Sequence, residues 1–409
     1  MLSLIYRWHL LVGLLVSPVL LVVSITGAIF AFAPQLQRVV DEGMMHPACE
    51  LCERLPYQQL FEQVATKFPG KKLTAVAVEG PGYSVQFSYF DNDGMSLIFV
   101  DPHSGEVLAH RKSPGGAMAP VLELHSSLFG GLPGRLLVEL STGWLLITVW
   151  LGLLLWWPNR KKLGGGWLPR FSNTGRSFWR DIHAVVGFWL IPLCLLFVLT
   201  GSFFTMVAGK TMLAATFELG GALSARSAGP DVEFLADSPR LSVDVFIEQH
   251  NLQSGSDQFF LLLPFSPNGN VQVSNDMGRH SWLFSKTWFH PQTGEVLQQI
   301  SWSQLDFTSK VFGLMYPLHT GKVAGLPTQI IAAVGSLLIS MLSLSGLWIW
   351  WKRRKAGRLS LPEKPSQGMP RWWLVWLLPL LLFAPLAVAS IGALAIFSVI
   401  FYRLRPRDS

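Results

Sequence analysis

The sequence predicts an α-helical membrane bundle of four core spans, arranged as a parallel internal duplication, with a fifth C-terminal span and two small α/β domains outside the membrane. Three observations predict it. Half of the 409 residues are hydrophobic and only 14% are charged, with a mean hydropathy of +0.38. Several apolar runs exceed the roughly 18–20 residues that cross a bilayer. The motifs of the first half also recur, in order, in the second half.

Four apolar runs form the predicted core, and the loops between them set its orientation. The core spans lie at about residues 10–33, 135–157, 183–207 and 328–351. The segments 158–182 and 352–371 are rich in Lys and Arg, as cytoplasmic loops of membrane proteins are. We therefore expect both loops and the N-terminus in the cytoplasm, and segments 35–134 and 208–327 on the outer side. These loops explain much of the net charge of +7, so it needs no nucleic-acid partner.

The two ends of the chain need separate arguments. The apolar run within residues 1–34 is too long for a signal peptide, so we expect a membrane anchor. The last apolar run, 372–402, contains Pro379 and Pro385. About 30 residues are short for two crossings at 1.5 Å per residue, so we expect one kinked helix rather than a hairpin. The tail 403–409 follows it.

Two blocks of residues recur at identical spacings, which indicates an internal repeat. His9 and His183 are each followed by Gly at the fourth position, Pro at the ninth, Thr-Gly at the seventeenth and Phe at the twenty-first. His125 and His319 are each followed by Gly-Leu-Pro from the sixth position, Gly at the twenty-seventh and Trp-Trp at the thirty-first. Both copies enter the membrane in the same direction, so the repeat is parallel and its axis follows the membrane normal.

The two outer segments also resemble each other. Each contains Pro-x-[Ser/Thr]-Gly-Glu-Val-Leu, a turn that leads into a strand. Each segment predicts one helix, at 57–68 and 243–251, followed by extended stretches. The predicted strands are 73–79, 83–90, 96–100 and 106–110 in the first segment, and 259–264, 271–274, 281–289 and 295–301 in the second.

Membrane depth pairs the repeated histidines. His9 and His183 each open an outward-going span, near the cytoplasmic face. His125 and His319 each precede an inward-going span, near the outer face. Two facing imidazoles at one depth suit one six-coordinate b-type haem, so the pattern predicts two haems bound by bis-histidine ligation. The alternatives are a metal site, duplicated structural histidines, and anchors at the membrane surface. The other six histidines lack this symmetry, and we expect most of them at the surface.

Four repeated glycines are expected beside the haems. Gly13 and Gly187 follow the cytoplasmic-side histidines by four residues, so they share a helical face with them. Gly27 and Gly201 lie five turns along the same spans, roughly 27 Å away at 1.5 Å per residue, at the depth of the outer haem. Without a side chain, each lets a porphyrin approach the backbone.

Three cysteines complete the candidate groups. Cys194 lies in an apolar run and is expected to pack there. Cys49 and Cys52 form a Cys-x-x-Cys sequence, which predicts a local disulfide in an oxidising compartment. A metal or redox role together with His46 is the alternative. The second copy has nothing similar, so this pair is outside the repeated core.

Several motifs together resemble the PepSY-associated transmembrane family, over about residues 4–355. These motifs are Arg7-Trp8-His9, Leu124-His125-Ser126-Ser127-Leu128, Arg180-Asp181-Ile182-His183, Pro317-Leu318-His319-Thr320 and Ser345-Gly346-Leu347-Trp348-Ile349-Trp350-Trp351. The family comprises iron-regulated proteins of the bacterial inner membrane and includes ferric-siderophore reductases. The resemblance implies PepSY-like periplasmic domains, two haems and electron delivery to siderophore-bound iron.

The resulting hypothesis is a di-haem reductase in the lipid bilayer that passes electrons to a ferric siderophore held between the two periplasmic domains. The chain has no Gly-x-Gly-x-x-Gly, so the electron donor is expected to be separate, a quinol or a cytoplasmic flavoprotein. The sequence indicates no catalytic residue. The alternatives are a siderophore permease or uptake accessory without a redox role, and a membrane-anchored regulatory module.

Overall fold

The structure is a computed structural model in which the predicted core spans are helical and the predicted outer segments contain the strands. It describes residues 2–40, 52–80, 82–113, 115–159, 167–220, 229–233, 239–254, 258–264, 266, 268–275, 285–354 and 384–404. The described α-helices are α1 (Leu2–Phe30), α2 (Ala33–Val40), α3 (Tyr57–Lys67), α4 (Met118–Ser127), α5 (Gly131–Asn159), α6 (Gly175–Trp189), α7 (Ile191–Ser202), α8 (Ala208–Gly220), α9 (Val243–Ser254), α10 (Phe307–Thr320), α11 (Leu326–Arg353) and α12 (Pro385–Leu404). The described strands are β1 (Leu73–Val78), β2 (Val85–Asp91), β3 (Gly94–Val100), β4 (Val107–Lys112), β5 (Phe259–Leu262), β6 (Val271–Ser274), β7 (Ser285–Phe289) and β8 (Val296–Ser301).

Three of these helices, α1, α5 and α11, are long and apolar enough to cross a membrane, and α6 with α7 makes a fourth span if the bent pair counts as one. The chain is therefore a membrane protein. Helices α1 and α11 approach closely because small residues line their contact. Ala28 and Ala31 pack against Ala332 and Ala333, an arrangement common between membrane helices.

The third predicted span differs from the expected single helix over 183–207. It consists of α6 and α7, which meet at a bend of 59°. Pro192 lacks the N–H that would continue the hydrogen-bond ladder through this point. Helix α6 also begins at Gly175, so the end of the predicted basic loop 158–182 is helical.

The strands form one eight-stranded antiparallel sheet in the order β4-β3-β2-β1-β5-β6-β7-β8. The two outer segments join where β1 pairs with β5, with Val76 opposite Leu261. Helices α3 and α9 bury Leu60 and Phe246 in a core shared by both segments. The two predicted outer domains are therefore joined in one sheet, because the halves continue one another edge to edge. The placement of a substrate between them stays a prediction.

A polar contact fixes the sheet to the bundle. Arg38 of α2, which continues α1, lies 3.5 Å from the carboxylate of Glu79 and 5.0 Å from the ring centroid of Tyr83. Glu79 and Tyr83 flank the turn between β1 and β2. The sheet is thus attached directly to the first membrane helix.

The described part of the fifth predicted span is α12, because residues 372–383 lie outside the described part of the chain. Helix α12 packs on α5, where Gly143 faces Ala384 and Ala387. The indole N–H of Trp144 donates to the hydroxyl of Ser390 at 3.0 Å. This face of α5 also buries Ile147, whereas the carbonyl of Thr148 points to His9.

Candidate functional site

Four histidines lie at the two ends of the helical bundle. We call the end from which the chain enters the sheet the sheet side, and the opposite end the far side. His9 of α1 and His183 of α6 lie on the far side. His125 of α4 and His319 of α10 lie on the sheet side, each in the last turn of a short helix.

The two short helices end abruptly after their histidines. Leu128 follows α4 with φ 51°, and Gly321 follows α10 with φ 73°. Left-handed backbone suits Gly, whereas for Leu it costs about 1 kcal/mol. The backbone is therefore strained at Leu128, where the chain turns from α4 towards α5 just after His125.

The histidines form two pairs across the two halves of the chain. The ring centroids of His9 and His183 are 6.3 Å apart, with an interplanar angle of 78°. Those of His125 and His319 are 6.2 Å apart, with an angle of 63°. The two halves thus bring together the residues that the repeat predicted to be partners.

On the sheet side, both histidines donate their Nδ1–H within their own half of the chain. His125 donates to the carbonyl of Val23 at 2.9 Å, and the hydroxyl of Thr26 lies 3.2 Å from the same nitrogen. The Thr26 hydroxyl itself donates to the carbonyl of Val22 at 2.7 Å, so it can only accept from the ring. His319 has the matching partner, the hydroxyl of Thr200 at 3.1 Å.

On the far side, the acceptors come from α5 and α11. His9 donates from Nδ1–H to the carbonyl of Thr148 at 3.1 Å. His183 donates to the carbonyl of Leu342 at 3.1 Å and to the hydroxyl of Ser345 at 3.0 Å. Because carbonyls only accept, the proton is on Nδ1 in these rings. Nε2 is then left as the metal-binding nitrogen, the arrangement usual for ligating histidines.

A glycine abuts the Cε1 edge of each ring. A Cβ built on Gly27 would lie 3.1 Å from Cε1 of His125, and one on Gly201 only 2.7 Å from Cε1 of His319. On the far side the same contact is made by Gly152 with His9 at 3.2 Å, and by Gly346 with His183 at 3.3 Å. These glycines make room for the imidazole rings themselves.

Gly13 and Gly187 have a different position. A Cβ on Gly13 would meet nothing within 4 Å, and one on Gly187 would only approach Leu342 at 3.8 Å. Both glycines line a cavity of about 560 Å³ that also contains His9 and His183. This volume is within the usual range for a bound small molecule or cofactor.

A buried carboxylate supports the far-side pair. Asp181, two residues before His183, has a fully buried side chain. It accepts from Arg170 and Asn173, each at 2.8 Å. These bonds hold the segment that enters α6 against the helix that carries His183.

The dimensions of both pairs fit two imidazoles that share one metal ion. A metal–imidazole bond is about 2 Å long and a ring centroid lies about 1 Å behind its nitrogen, so two imidazoles on opposite sides of a metal have centroids about 6 Å apart. The described residues contain no group of three or more His, Cys, Asp or Glu that could hold a metal ion. Two imidazoles need further ligands, and a porphyrin supplies four nitrogens.

The remaining candidates are the cysteines and the other histidines. Cys52 is disulfide-bonded, whereas Cys49 and His46 lie outside the described residues. Cys194 is free and buried, and it lines the cavity that contains His9 and His183. His250 is an exception among the other histidines, because it is fully buried in the sheet domain. Burial lowers the pKa of His250 to about 4, so it stays neutral and favours folding above about pH 6.5, an effect that is lost as the pH falls towards 4.

Gly152 and Gly346 are visible in the sequence as repeated residues, but their contact with the imidazole rings is not predicted from it. Their signal was the shared spacing from His125 and His319, together with a position at the other end of the span. The acceptors Thr148 and Leu342 act through backbone carbonyls, which leave no trace in the side-chain sequence. Ser345 was visible only as part of a motif.

Comparison with known proteins gives two results. Residues 6–353 match the family model described as the PepSY-associated TM region. A protein of Pseudomonas aeruginosa named Uncharacterized protein PA4219 is 27% identical over 277 aligned positions, and the alignment covers 62% of this chain and 68% of that protein.

Proposed function

Since this chain belongs to the PepSY-associated transmembrane family, we propose that it is a di-haem inner-membrane reductase that passes electrons across the membrane to a periplasmic ferric siderophore. The observation that carries this proposal is the geometry of the two histidine pairs, with ring centroids 6.3 and 6.2 Å apart. Each ring is also oriented through Nδ1, as a ligating histidine requires.

In this proposal His9 and His183 hold one b-type haem, and His125 and His319 hold the other. A bound haem would supply one-electron chemistry at its iron. The protein's own groups fix the tautomer and the orientation of each imidazole. Glycine contacts at Gly27, Gly201, Gly152 and Gly346 seat the rings.

The proposed orientation follows from the loops. The far side adjoins the segments rich in Lys and Arg, which supports a cytoplasmic position for it. The sheet then lies in the periplasm, and its two halves are interpreted as a duplicated PepSY-like domain. Each half contributes one helix and four strands in the same order, which supports this interpretation. The electron donor is a separate quinol or cytoplasmic flavoprotein.

The proposed substrate is iron held by an oxygen-rich chelator. Reduction converts Fe(III) to the softer and less charged Fe(II), which such ligands bind less tightly. Iron release then leaves the chelator intact. This substrate class is proposed because the family includes ferric-siderophore reductases, and the sheet with its attachment to α1 is the proposed docking region.

The direct test is the absorption spectrum of the purified protein with haem quantification, after expression with adequate haem. We expect a Soret band and two haems per chain. His319→Ala and His183→Ala should each reduce this to one haem, whereas His103→Ala, at a partly exposed sheet-domain residue, should leave two. A colourless protein would contradict the proposal and favour a permease or a regulatory module.

The electron route needs its own measurement. In vesicles that contain the protein, reduction of an internal donor should produce Fe(II) from an external ferric siderophore, detected with an impermeant Fe(II) chelator. Loss of this signal in His319→Ala, together with retention in His103→Ala, is the expected result. If the protein binds two haems but His319→Ala leaves the rate of Fe(II) formation unchanged, the reductase function is contradicted and only the haem sites remain supported.

A further inference from the structure

The far-side cavity has a polar mouth with positive charge. Tyr6, Asn159, Arg180 and Arg353 line the cavity that contains His9. Among the described residues that line it there is no Asp or Glu. The cavity is therefore apolar along most of its wall and cationic in one region.

The spacing along the helices places these four side chains together. Tyr6 and Arg180 each precede a far-side histidine by three residues, about one helical turn. Asn159 and Arg353 each lie seven residues, about two turns, after a glycine that abuts one of these histidines. These glycines are Gly152 and Gly346. All four thus lie beyond the imidazole pair, towards the far-side ends of α1, α5, α6 and α11.

Each of the two arginines contacts a neighbouring side chain at this mouth. Arg353 donates to the Tyr6 hydroxyl and lies over its ring, 5.2 Å from the centroid. Arg180 approaches Asp181 only to 3.4 Å, because that carboxylate already accepts two bonds at 2.8 Å from Arg170 and Asn173. The Arg180 side chain is 48% exposed, so its guanidinium has room for a second anionic partner.

An apolar cavity with two guanidinium groups at one end fits a flat apolar molecule that carries two carboxylates on one edge. We propose that Arg180 and Arg353 bind the two propionate carboxylates of the far-side haem. Arginine is suited to this role because its planar fork pairs with carboxylates in two parallel hydrogen bonds. The inference rests on the proposed di-haem function and adds the orientation of the ligand, with its carboxylate edge towards the far side.

The test compares iron protoporphyrin IX with its dimethyl ester, which lacks the two negative charges. The parent protein carries His319→Ala, so that only the far-side pair is titrated after haem depletion in detergent. Arg180→Gln and Arg353→Gln should each weaken binding of the free acid about tenfold, the effect of one charge-assisted hydrogen bond. Binding of the ester should not change. Arg180→Lys should recover part of the loss, and Arg176→Gln, an exposed residue one turn earlier on α6, is the matched control.

The possible results distinguish a failure of the arginine assignment from a failure of the proposed di-haem function. Equal affinity of the parent for acid and ester, or an equal loss of both ligands in the glutamine variants, would overturn the arginine assignment while the haem site stands. A parent that binds neither ligand would overturn the proposed function together with it. In the wild-type background, full occupancy of the sheet-side haem shows that each variant has folded.

Discussion

The sheet-side and far-side histidine pairs have the same construction but differ in symmetry. On the sheet side, both rings meet a Thr hydroxyl and the neighbouring Gly, from Thr26-Gly27 and Thr200-Gly201. On the far side, the hydroxyl of Ser345 supports one ring, and the matching position in the first half is Leu151. The two halves have therefore kept the sheet-side pair equivalent and diverged around the far-side pair.

The divergence extends to charge. Asp181 lies beneath the far-side pair and is held by Arg170 and Asn173. The matching position in the first half is Arg7. A duplication that kept the histidines while changing their surroundings gives two similar sites with different electrostatics. In the proposed di-haem function, this difference would favour electron movement in one direction.

The largest expected effect comes from the glycines that seat the rings. Gly201→Ala would place a Cβ 2.7 Å from Cε1 of His319, a distance at which the ring or the helix must move. We expect loss of the sheet-side haem. Gly346→Ala brings a Cβ to 3.3 Å from His183, so the far-side haem should be retained with weaker affinity.

Gly392→Ala is the control for this series, because Gly392 is exposed on α12 and nothing lies within 4 Å of its Cβ position. Haem stoichiometry and the rate of haem transfer to an apo-acceptor measure the effects. Equal loss of haem from Gly392→Ala and Gly201→Ala would show that a general disturbance of the helices, rather than ring contact, explains the loss.

The histidine pairs and the sheet differ in how well the sequence predicted them. The repeat identified all four histidines and the partner of each, since ligands and their spacing are side-chain information. The expected strands lie within a few residues of the observed ones. The edge pairing of β1 with β5 was not predictable, because alternation of apolar residues specifies a strand and its faces but not its neighbour.

The bend between α6 and α7 shows a second limit. Pro18 and Pro192 occupy matching positions, yet α1 is continuous and the other span bends by 59°. The surroundings of the two prolines also differ, since Phe188 of α6 stacks on Trp156 of α5 at 4.0 Å and the matching residue in α1 is Leu14. A proline therefore predicts where a span can bend and not whether it bends.

An intermediate effect is expected from the buried carboxylate. Asp181→Asn removes the charge that pairs with Arg170 and leaves a buried amide in its place, at a cost of about 2 kcal/mol. We expect lower occupancy of the far-side haem and a lower melting temperature, with the sheet-side haem retained. Asp93→Asn, at a side chain that is 84% exposed, is the control. Loss of both haems in equal measure would contradict a role confined to the far side.

The smallest expected effect tests the symmetry itself. A hydrogen bond from Nδ1–H makes a ligating imidazole more basic, which stabilises Fe(III) and lowers the reduction potential. Thr200→Val removes one such acceptor from the sheet-side pair. One hydrogen bond is about 1 kcal/mol, and only the part that differs between Fe(III) and Fe(II) shifts the potential, so the potential of that haem should rise by up to about 40 mV. Ser345→Ala should raise the far-side potential by a similar amount.

Leu151→Ser tests the same comparison in the opposite direction, because it adds to the first half a hydroxyl that matches the Ser345 hydroxyl of the second half. If it supports His9 as Ser345 supports His183, the far-side potential should fall by up to about 40 mV, opposite in sign to the effect of Ser345→Ala. Spectroelectrochemical titration resolves the two haems when each is measured in the background of the other site's histidine variant. Potentials that do not respond to these hydroxyls would leave burial and charge as the source of any difference between the two sites.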